Sequence, residues 1–120
     1  MRERMRQELA DRDPEHFDLK QGTGGIADIE FMVQYHVLRY AHDHPDLLVW
    51  SDNIRLLETL GAEGLLARND AEFLADAYRT YRKRVHGLTL QEQPAVVAAS
   101  EFAELRAQVS ALWRTVMGTG

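Results

Sequence analysis

The spacing of hydrophobic side chains predicts five α-helices and one short extended segment. In five stretches, apolar residues recur every three to four positions, as they do along one face of a helix. The prolines lie between these stretches, where a residue without a backbone N–H breaks no helical hydrogen bond; they are Pro14, Pro45 and Pro94. Because the connections are short and polar, we expect successive helices to pack nearly antiparallel in an all-α bundle.

Capping residues and helix breakers set the expected bounds of the helices. The expected helices run from about Arg2 to Asp11, from after Gly25 to about His42, from the cap Ser51 to Gly61, from the cap Asn69 (with Glu72 as its capping-box partner) to before Pro94, and from the cap Ser100 past Val116. The second helix is apolar on nearly all sides, which is typical of a buried central helix. Residues 17–21 alternate before the glycines and are predicted to be extended, but they are too short to form a sheet with themselves.

Composition narrows the class of protein. The 120 residues include 14 Lys+Arg, 19 Asp+Glu and no cysteine, so disulfide scaffolds, thiolate zinc sites and cysteine nucleophiles are excluded. No apolar run is long enough for a membrane span or a secretory signal, and we expect one cytoplasmic domain over residues 1–120. The net charge of −5 disfavours binding of nucleic acid by the whole surface, although a local basic patch stays open.

A lysine and a glycine-rich turn precede the second helix and form the densest candidate site, with the extended and glycine-rich motif at residues 17–25. Glycines let a backbone approach a ligand closely, and a helix N-terminus attracts phosphate. The spacing matches neither the Walker loop nor the dinucleotide fingerprint, so a tight structural turn with a surface lysine is the competing interpretation. The candidate residues are Lys20, Gly22, Gly24, Gly25, Asp28 and Glu30.

Two acidic residues of this motif have the Asp-x-Glu spacing of a metal-binding pair, but on the predicted helix they point to different faces. Asp28 and Glu30 are two positions apart, which on a helix is about 200° of rotation, so they cannot grip one metal ion together. His42 and His44 have no third ligand at a matching spacing, and His36 is expected to be a hydrogen-bonded core or interface residue. We therefore predict no metal site in this chain.

A cationic stripe follows one face of the fourth helix. Arg79, Arg82, Lys83 and His86 recur at helical spacing, a pattern that suits contact with nucleotide phosphates or with an acidic partner. The alternative is a solvated face opposite the apolar stripe of the same helix.

Three segments carry a resemblance to a known family. Residues 17–35 read FDLKQGTGGIADIEFMVQY, residues 50–58 read WSDNIRLLE and residues 88–94 read LTLQEQP. Together they resemble the glutamine synthetase adenylyltransferase family, for which a lysine, a glycine turn and Gly-Gly-Ile-x-Asp-Ile-Glu-Phe followed by Gln are specific. The resemblance covers nearly the whole chain.

The resemblance implies a helical domain behind a catalytic palm. Enzymes of this family have two nucleotidyltransferase halves, one attaching AMP to a tyrosine of glutamine synthetase and the other removing it. The chain resembles the C-terminal helical domain of the adenylylating half, with Gly120 at the natural C-terminus. The palm's Gly-Ser turn and Asp-x-Asp strand do not occur here. Asp11-Arg12-Asp13 has the Asp-x-Asp order, but it lies at the end of a predicted helix, before Pro14, and not on a strand after a glycine turn.

From the resemblance we expect no catalytic residue in this fragment and no AMP transfer by it alone. ATP and Mg²⁺ are expected in the parent enzyme, with none bound by the fragment. The expected partners are the chain's own palm, glutamine synthetase and the PII signalling protein, with no nucleic acid and no membrane. Two alternatives stay open: a helical module that docks glutamine synthetase or PII, and the corresponding domain of PII uridylyltransferase.

Overall fold

The structure, a computed structural model, describes residues 14–49 and 51–118. The predicted first helix, from Arg2 to Asp11, lies outside the described residues. The described part is mostly helical, which confirms the predicted fold class. Its elements are β1 (His16–Asp18), α1 (Ile26–Tyr40), a 3₁₀ turn (Pro45–Leu48), α2 (Asn53–Ala62), α3 (Arg68–Leu90), β2 (Val96–Ala98) and α4 (Ala103–Met117).

The extended segment has a partner strand, which the sequence pattern did not reveal. β1 pairs antiparallel with β2, and Phe17 lies opposite Val97 at the centre of the ladder. The backbone N–H of Leu19 extends the pairing by donating to the carbonyl of Ala95 at 2.9 Å. The predicted extended segment therefore forms a sheet with a distant strand and not with itself, and its strand covers His16–Asp18 while residues 19–21 belong to the turn. A three-residue strand carries too little periodicity to be recognised, and its partner lies far along the chain.

One contiguous core joins all the described helices to the small sheet. Phe17 of β1 and Leu19, just after the strand, are fully buried and pack among side chains of the helices. The apolar stripes predicted for the helices supply most of the other largest fully buried side chains, which are Ile29, Val33, Leu57, Leu60, Leu74, Tyr81 and Val109. Met32, Leu56 and Leu47 of the 3₁₀ turn are fully buried as well, outside those stripes. The sheet thereby anchors the segment that leads into α1 to the interior of the bundle.

Several helix ends differ from their predicted caps. The N-cap of α2 is Asp52 rather than Ser51, since the Asp52 carboxylate accepts a 2.8 Å hydrogen bond from the N–H of Ile54. α3 begins at Arg68, before the predicted cap Asn69, and α4 begins at Ala103, after the predicted cap Ser100. Neither α3 nor α4 has a side-chain cap hydrogen bond at its start.

Two expectations for α1 and α2 also need correction. α1 is less buried than its composition suggests, because Leu38 is 83% exposed near its end at Tyr40. Gly61 does not end α2: it stays helical and lies against Ala71 of α3, where an added Cβ would be 3.0 Å away. The left-handed residue after α2 is Gly64, with φ of 74°. Across the described part of the chain, every helix is too short or too polar to cross a lipid bilayer.

Candidate functional site

The glycine-rich motif forms a tight turn between β1 and α1. The Asp18 carboxylate accepts hydrogen bonds from the backbone N–H groups of Lys20 and Gln21 at 2.9 and 3.0 Å. The Asp18 carbonyl accepts another from Gly22 at 2.8 Å. An aspartate that bonds to its own following backbone stabilises a turn in this way. The Lys20 side chain is left on the outside of the turn, where it is exposed.

Most backbone amides of the motif already have acceptors within the protein. Gly24 donates to Oδ2 of Asp28 at 2.7 Å, and Gly25 donates to the carbonyl of Gly22 at 2.9 Å. The first N–H of α1, on Ile26, donates to the Leu19 carbonyl at 2.9 Å, and the next donates to the Lys20 carbonyl at 2.9 Å. A phosphate on these amides would have to displace internal hydrogen bonds. The Lys20 ammonium, by contrast, has no hydrogen-bond or salt-bridge partner in the part of the chain that the structure describes.

The glycines of the turn are required by close packing. Gly24 has φ of 82°, and a Cβ there would lie 2.6 Å from the Arg106 carbonyl oxygen of α4. At Gly22 and Gly25 a Cβ would lie 2.6 Å from the carbonyl oxygens of Asp18 and Leu19. Real Cβ atoms do not come this close to oxygen, so each position excludes a side chain. These contacts favour the interpretation of the motif as a packed turn.

Two side chains from other helices hold the turn in place. The buried hydroxyl of Tyr81 in α3 donates to the Gly24 carbonyl at 2.7 Å. Nε of Arg106 in α4 donates to the Thr23 carbonyl at 3.0 Å, and its guanidinium lies 4.0 Å from the centroid of the Phe17 ring. Burial raises the pKa of Tyr81 well above its ordinary value of 10, which keeps the hydroxyl protonated as a donor. No signal in the sequence pointed to Arg106, because no spacing links α4 to the turn.

The two acidic residues of the motif lie on different sides of α1. Asp28 is buried against the Gly24 N–H, whereas Glu30 accepts a 2.9 Å hydrogen bond at Oε2 from the Tyr78 hydroxyl of α3. This agrees with the separation of the two carboxylates that was predicted from their spacing along the helix. The Tyr78 hydroxyl also accepts a 3.2 Å hydrogen bond from Nδ2 of Asn53 in α2, so three helices meet at one polar junction.

Burial and the neighbouring Glu30 carboxylate raise the pKa of Tyr78, although its hydrogen bond from Asn53 acts in the opposite direction. The Tyr78 phenol therefore stays protonated at neutral pH and keeps donating to Glu30.

The motif and the cationic stripe meet at a pocket of about 240 Å³. Lys20 and Gln21 enter it from the turn, Glu30 from α1 and Arg82 from α3, over an apolar floor of Ile26, Ala27 and Val85. The Arg82 guanidinium lies 5.8 Å from the centroid of the Tyr78 ring. Among the described residues, neither the Lys20 ammonium nor the Arg82 guanidinium has a salt-bridge or hydrogen-bond partner. We name this the Lys20–Arg82 pocket.

The rest of the cationic stripe does not reach this pocket. Arg79 pairs with Asp76 at 3.0 Å and lies 3.9 Å from Glu58, beside a larger cavity of about 460 Å³ between α2 and α3. Lys83 and His86 are exposed and line neither cavity. The structure therefore separates the stripe into Arg82, which lies at the motif, and three residues that do not.

Two histidines make local contacts. His36 is buried, and its Nδ1 donates to the Met32 carbonyl at 2.8 Å, which agrees with its predicted structural role. Nδ1 of His44 lies 3.1 Å from the Glu63 carboxylate. Within residues 14–49 and 51–118, no three histidine or acidic side chains are grouped so that they would hold a metal ion.

These features define an all-α domain in which a strand and a glycine turn are fixed onto a helical bundle and present a small cationic pocket. The family model described as GlnD PII-uridylyltransferase matches residues 1–96. The chain belongs to the family that this model describes.

Relatives extend the similarity over the whole chain. The chain is 62% identical over 120 residues to a bifunctional glutamine synthetase adenylyltransferase/adenylyl-removing enzyme of Thioalkalivibrio sulfidiphilus, which covers 100% of this chain and 12% of that protein. It is 52% identical over 117 residues to the protein of the same name in Methylococcus capsulatus, covering 98% of this chain and 12% of the relative. The chain thus spans about one eighth of the length of these relatives. The resemblance stated from the motifs is confirmed.

Proposed function

We propose that this chain is the helical domain behind the palm of the adenylylating half of a bifunctional glutamine synthetase adenylyltransferase/adenylyl-removing enzyme. The observation that carries the proposal is 62% identity over all 120 residues to a relative of that name. The parent enzyme transfers AMP from ATP, with Mg²⁺, to a tyrosine of glutamine synthetase in the cytoplasm.

In this proposal the domain supports the chemistry without performing it. The motif at residues 17–25 directly follows the palm, so the turn and the Lys20–Arg82 pocket face the cleft between palm and bundle. Asp28 and Glu30 are each occupied by an internal hydrogen bond, and on this ground the Mg²⁺-binding carboxylates belong to the palm. The task of this chain is to fix the position of the turn against the palm.

An AMP-transfer assay with radiolabelled ATP and glutamine synthetase tests the proposal. A polypeptide that joins a palm of the parent enzyme to this chain is expected to label glutamine synthetase, and this chain alone is not. Labelling by the chain alone at a comparable rate would contradict the supporting role. Labelling of PII from UTP, with none of glutamine synthetase from ATP, would assign the domain to a uridylyltransferase, the activity in the name of the matching family model.

A second candidate function is docking of a partner protein, and a surface near the 3₁₀ turn favours it. Leu48 and Val49 are each 69% exposed, and Val49 shares a shallow cavity with the acidic side chains Asp46, Glu58 and Glu63. Exposed aliphatic residues with an acidic rim suit a partner with basic residues around an apolar one. Pull-downs without nucleotide, using glutamine synthetase and PII separately, test this function. Saturable capture that Val49→Asp abolishes would support it, and capture unchanged by Val49→Asp would place docking elsewhere.

A further inference from the structure

The Lys20–Arg82 pocket combines two unpaired cations with one carboxylate that is held away from them. Glu30 is the acidic side chain among the residues that line the pocket, yet it makes no salt bridge within 4.0 Å to Lys20 or Arg82. Its Oε2 instead accepts the hydrogen bond from Tyr78, which is itself bonded to Asn53. The junction with Tyr78 thus engages one oxygen of the Glu30 carboxylate, and Glu30 forms no salt bridge with either cation.

The size of the pocket limits what it holds. At about 240 Å³ it is smaller than the roughly 300–1,000 Å³ of pockets that enclose a whole small ligand. It therefore takes one end of a ligand, and the two cations specify an anionic end. Lysine and arginine together are the usual donors to phosphate oxygens, with arginine able to bind two oxygens at once.

We infer that the Lys20–Arg82 pocket binds the polyphosphate end of a nucleoside triphosphate, and that Tyr78 is a positioning residue that keeps Glu30 from occupying the cations. The nucleotide as the source of the phosphates rests on the proposed function, whereas the anion site rests on the pocket itself. The rest of the nucleotide is then bound outside this chain. Lys20 and Arg82 each contribute a charge-assisted hydrogen bond to the phosphate oxygens. The negative charge of Glu30 lowers the affinity for the phosphates.

Titration of the full 120-residue chain, followed by ¹⁵N–¹H NMR, tests the anion site directly. The probes are inorganic tripolyphosphate, ATP and adenosine. Saturable shifts are expected at the amides of Gln21, Ala27 and Val85 with the two phosphate probes and not with adenosine. Shifts with tripolyphosphate but not with ATP would overturn the assignment to a nucleotide. An absence of shifts with both would overturn the site.

Two variants that each remove one positive charge distinguish binding in the pocket from attraction to the net charge of the chain. Arg82→Gln is expected to weaken binding of tripolyphosphate about tenfold, which is the effect of one hydrogen bond between charged groups. Lys83→Gln removes the same charge from the neighbouring exposed position, which does not line the pocket, and is expected to change binding less than about twofold. Equal losses in the two variants would show that the anion responds only to net charge and would refute the pocket.

The role of Tyr78 predicts effects of opposite sign. Glu30→Gln removes the pocket's negative charge and is expected to tighten binding about threefold or more. Tyr78→Phe frees the carboxylate to pair with the cations and is expected to weaken binding by a similar factor. The double variant is expected to bind as Glu30→Gln does, which a merely structural role of Tyr78 would not produce. A double variant as weak as Tyr78→Phe, with unchanged thermal unfolding, would refute the positioning role.

The AMP-transfer assay distinguishes failure of this inference from failure of the proposed function. In the polypeptide with a palm, Arg82→Gln is expected to raise KM for ATP about fivefold or more, with a smaller change in kcat. If wild type transfers AMP and Arg82→Gln leaves KM unchanged, the inference fails and the proposed function stands. If wild type transfers no AMP while the NMR shifts are present, the proposed function fails and the anion site stands.

Discussion

The hydroxyl of Tyr81 links the glycine turn to α3 of the helical bundle. It donates to the Gly24 carbonyl at 2.7 Å, the side chain is fully buried, and Gly24 is buried as well. Its ring lies edge-on to Phe17 and Phe102, with centroids at 5.7 and 5.4 Å. Tyr81→Phe therefore removes one hydrogen bond and leaves the ring contacts in place.

The expected loss follows from what remains after the substitution. Because Phe fills the same space, no cavity forms, and the change is limited to an unpaired carbonyl that water does not reach. A buried polar group left without a partner costs about 1–3 kcal/mol. This is a substantial part of the roughly 5–15 kcal/mol by which a domain is stable. The melting temperature is expected to fall by roughly 3–5 °C per kcal/mol in a chain of this size.

Urea unfolding of the full chain, followed by circular dichroism and tryptophan fluorescence, measures the difference. Tyr78→Phe is the matched control: its hydroxyl is also hydrogen-bonded, but Tyr78 is half-buried, so water can replace the lost partner and the loss is expected to be below about 1 kcal/mol. If the free energy of unfolding of Tyr81→Phe is within about 0.5 kcal/mol of the wild-type value, or falls no more than that of Tyr78→Phe, this hydrogen bond does not hold the turn and the reasoning is wrong.

Three further outcomes follow from the same turn. Gly24→Ala is expected to destabilise the chain by about 2–4 kcal/mol, since it adds a clash with the Arg106 carbonyl to the strain of φ at 82°; Gly64→Ala, with φ of 74° and open space around it, should cost only about 1 kcal/mol in the same urea assay. Asp28→Ala leaves the buried Gly24 N–H unpaired and is expected to cost about 1.5–3 kcal/mol, so a neutral result in thermal unfolding would contradict the hydrogen bond. Because folding raises the pKa of Tyr81 above the ordinary value of 10, the free energy of unfolding is expected to be unaffected by this group below about pH 10 and to fall above it by up to about 1.4 kcal/mol per pH unit. Tyr81→Phe should flatten this decline, and an unchanged slope of stability against pH would refute the assignment.

Much of the architecture was predictable because it depends on local periodicity. The stripe through Leu74 and Tyr81 predicted α3, and the stripe around Val109 predicted α4, because apolar residues at helical spacing must share a buried face. The motif beginning at Lys20 identified the family, since its order of residues is distinctive. The predicted helix starts at Asn69 and Ser100 differ from the observed starts at Arg68 and Ala103, because short capping signals specify a helix end less strongly than periodicity specifies its body.

The sequence alone determined the fold class, the family and the two sets of candidate residues, because each is a property of neighbours along the chain. It could not decide whether the glycines serve a phosphate or a packed turn. Only the tertiary structure brings the Arg106 backbone and the Tyr81 hydroxyl to Gly24. The Arg106 backbone fills the space that a side chain at Gly24 would need, and the Tyr81 hydroxyl donates to the Gly24 carbonyl. The same folding joins Lys20 to Arg82 from segments distant in sequence and leaves Arg79 outside, since which members of a stripe face a pocket depends on the helix packed beside it.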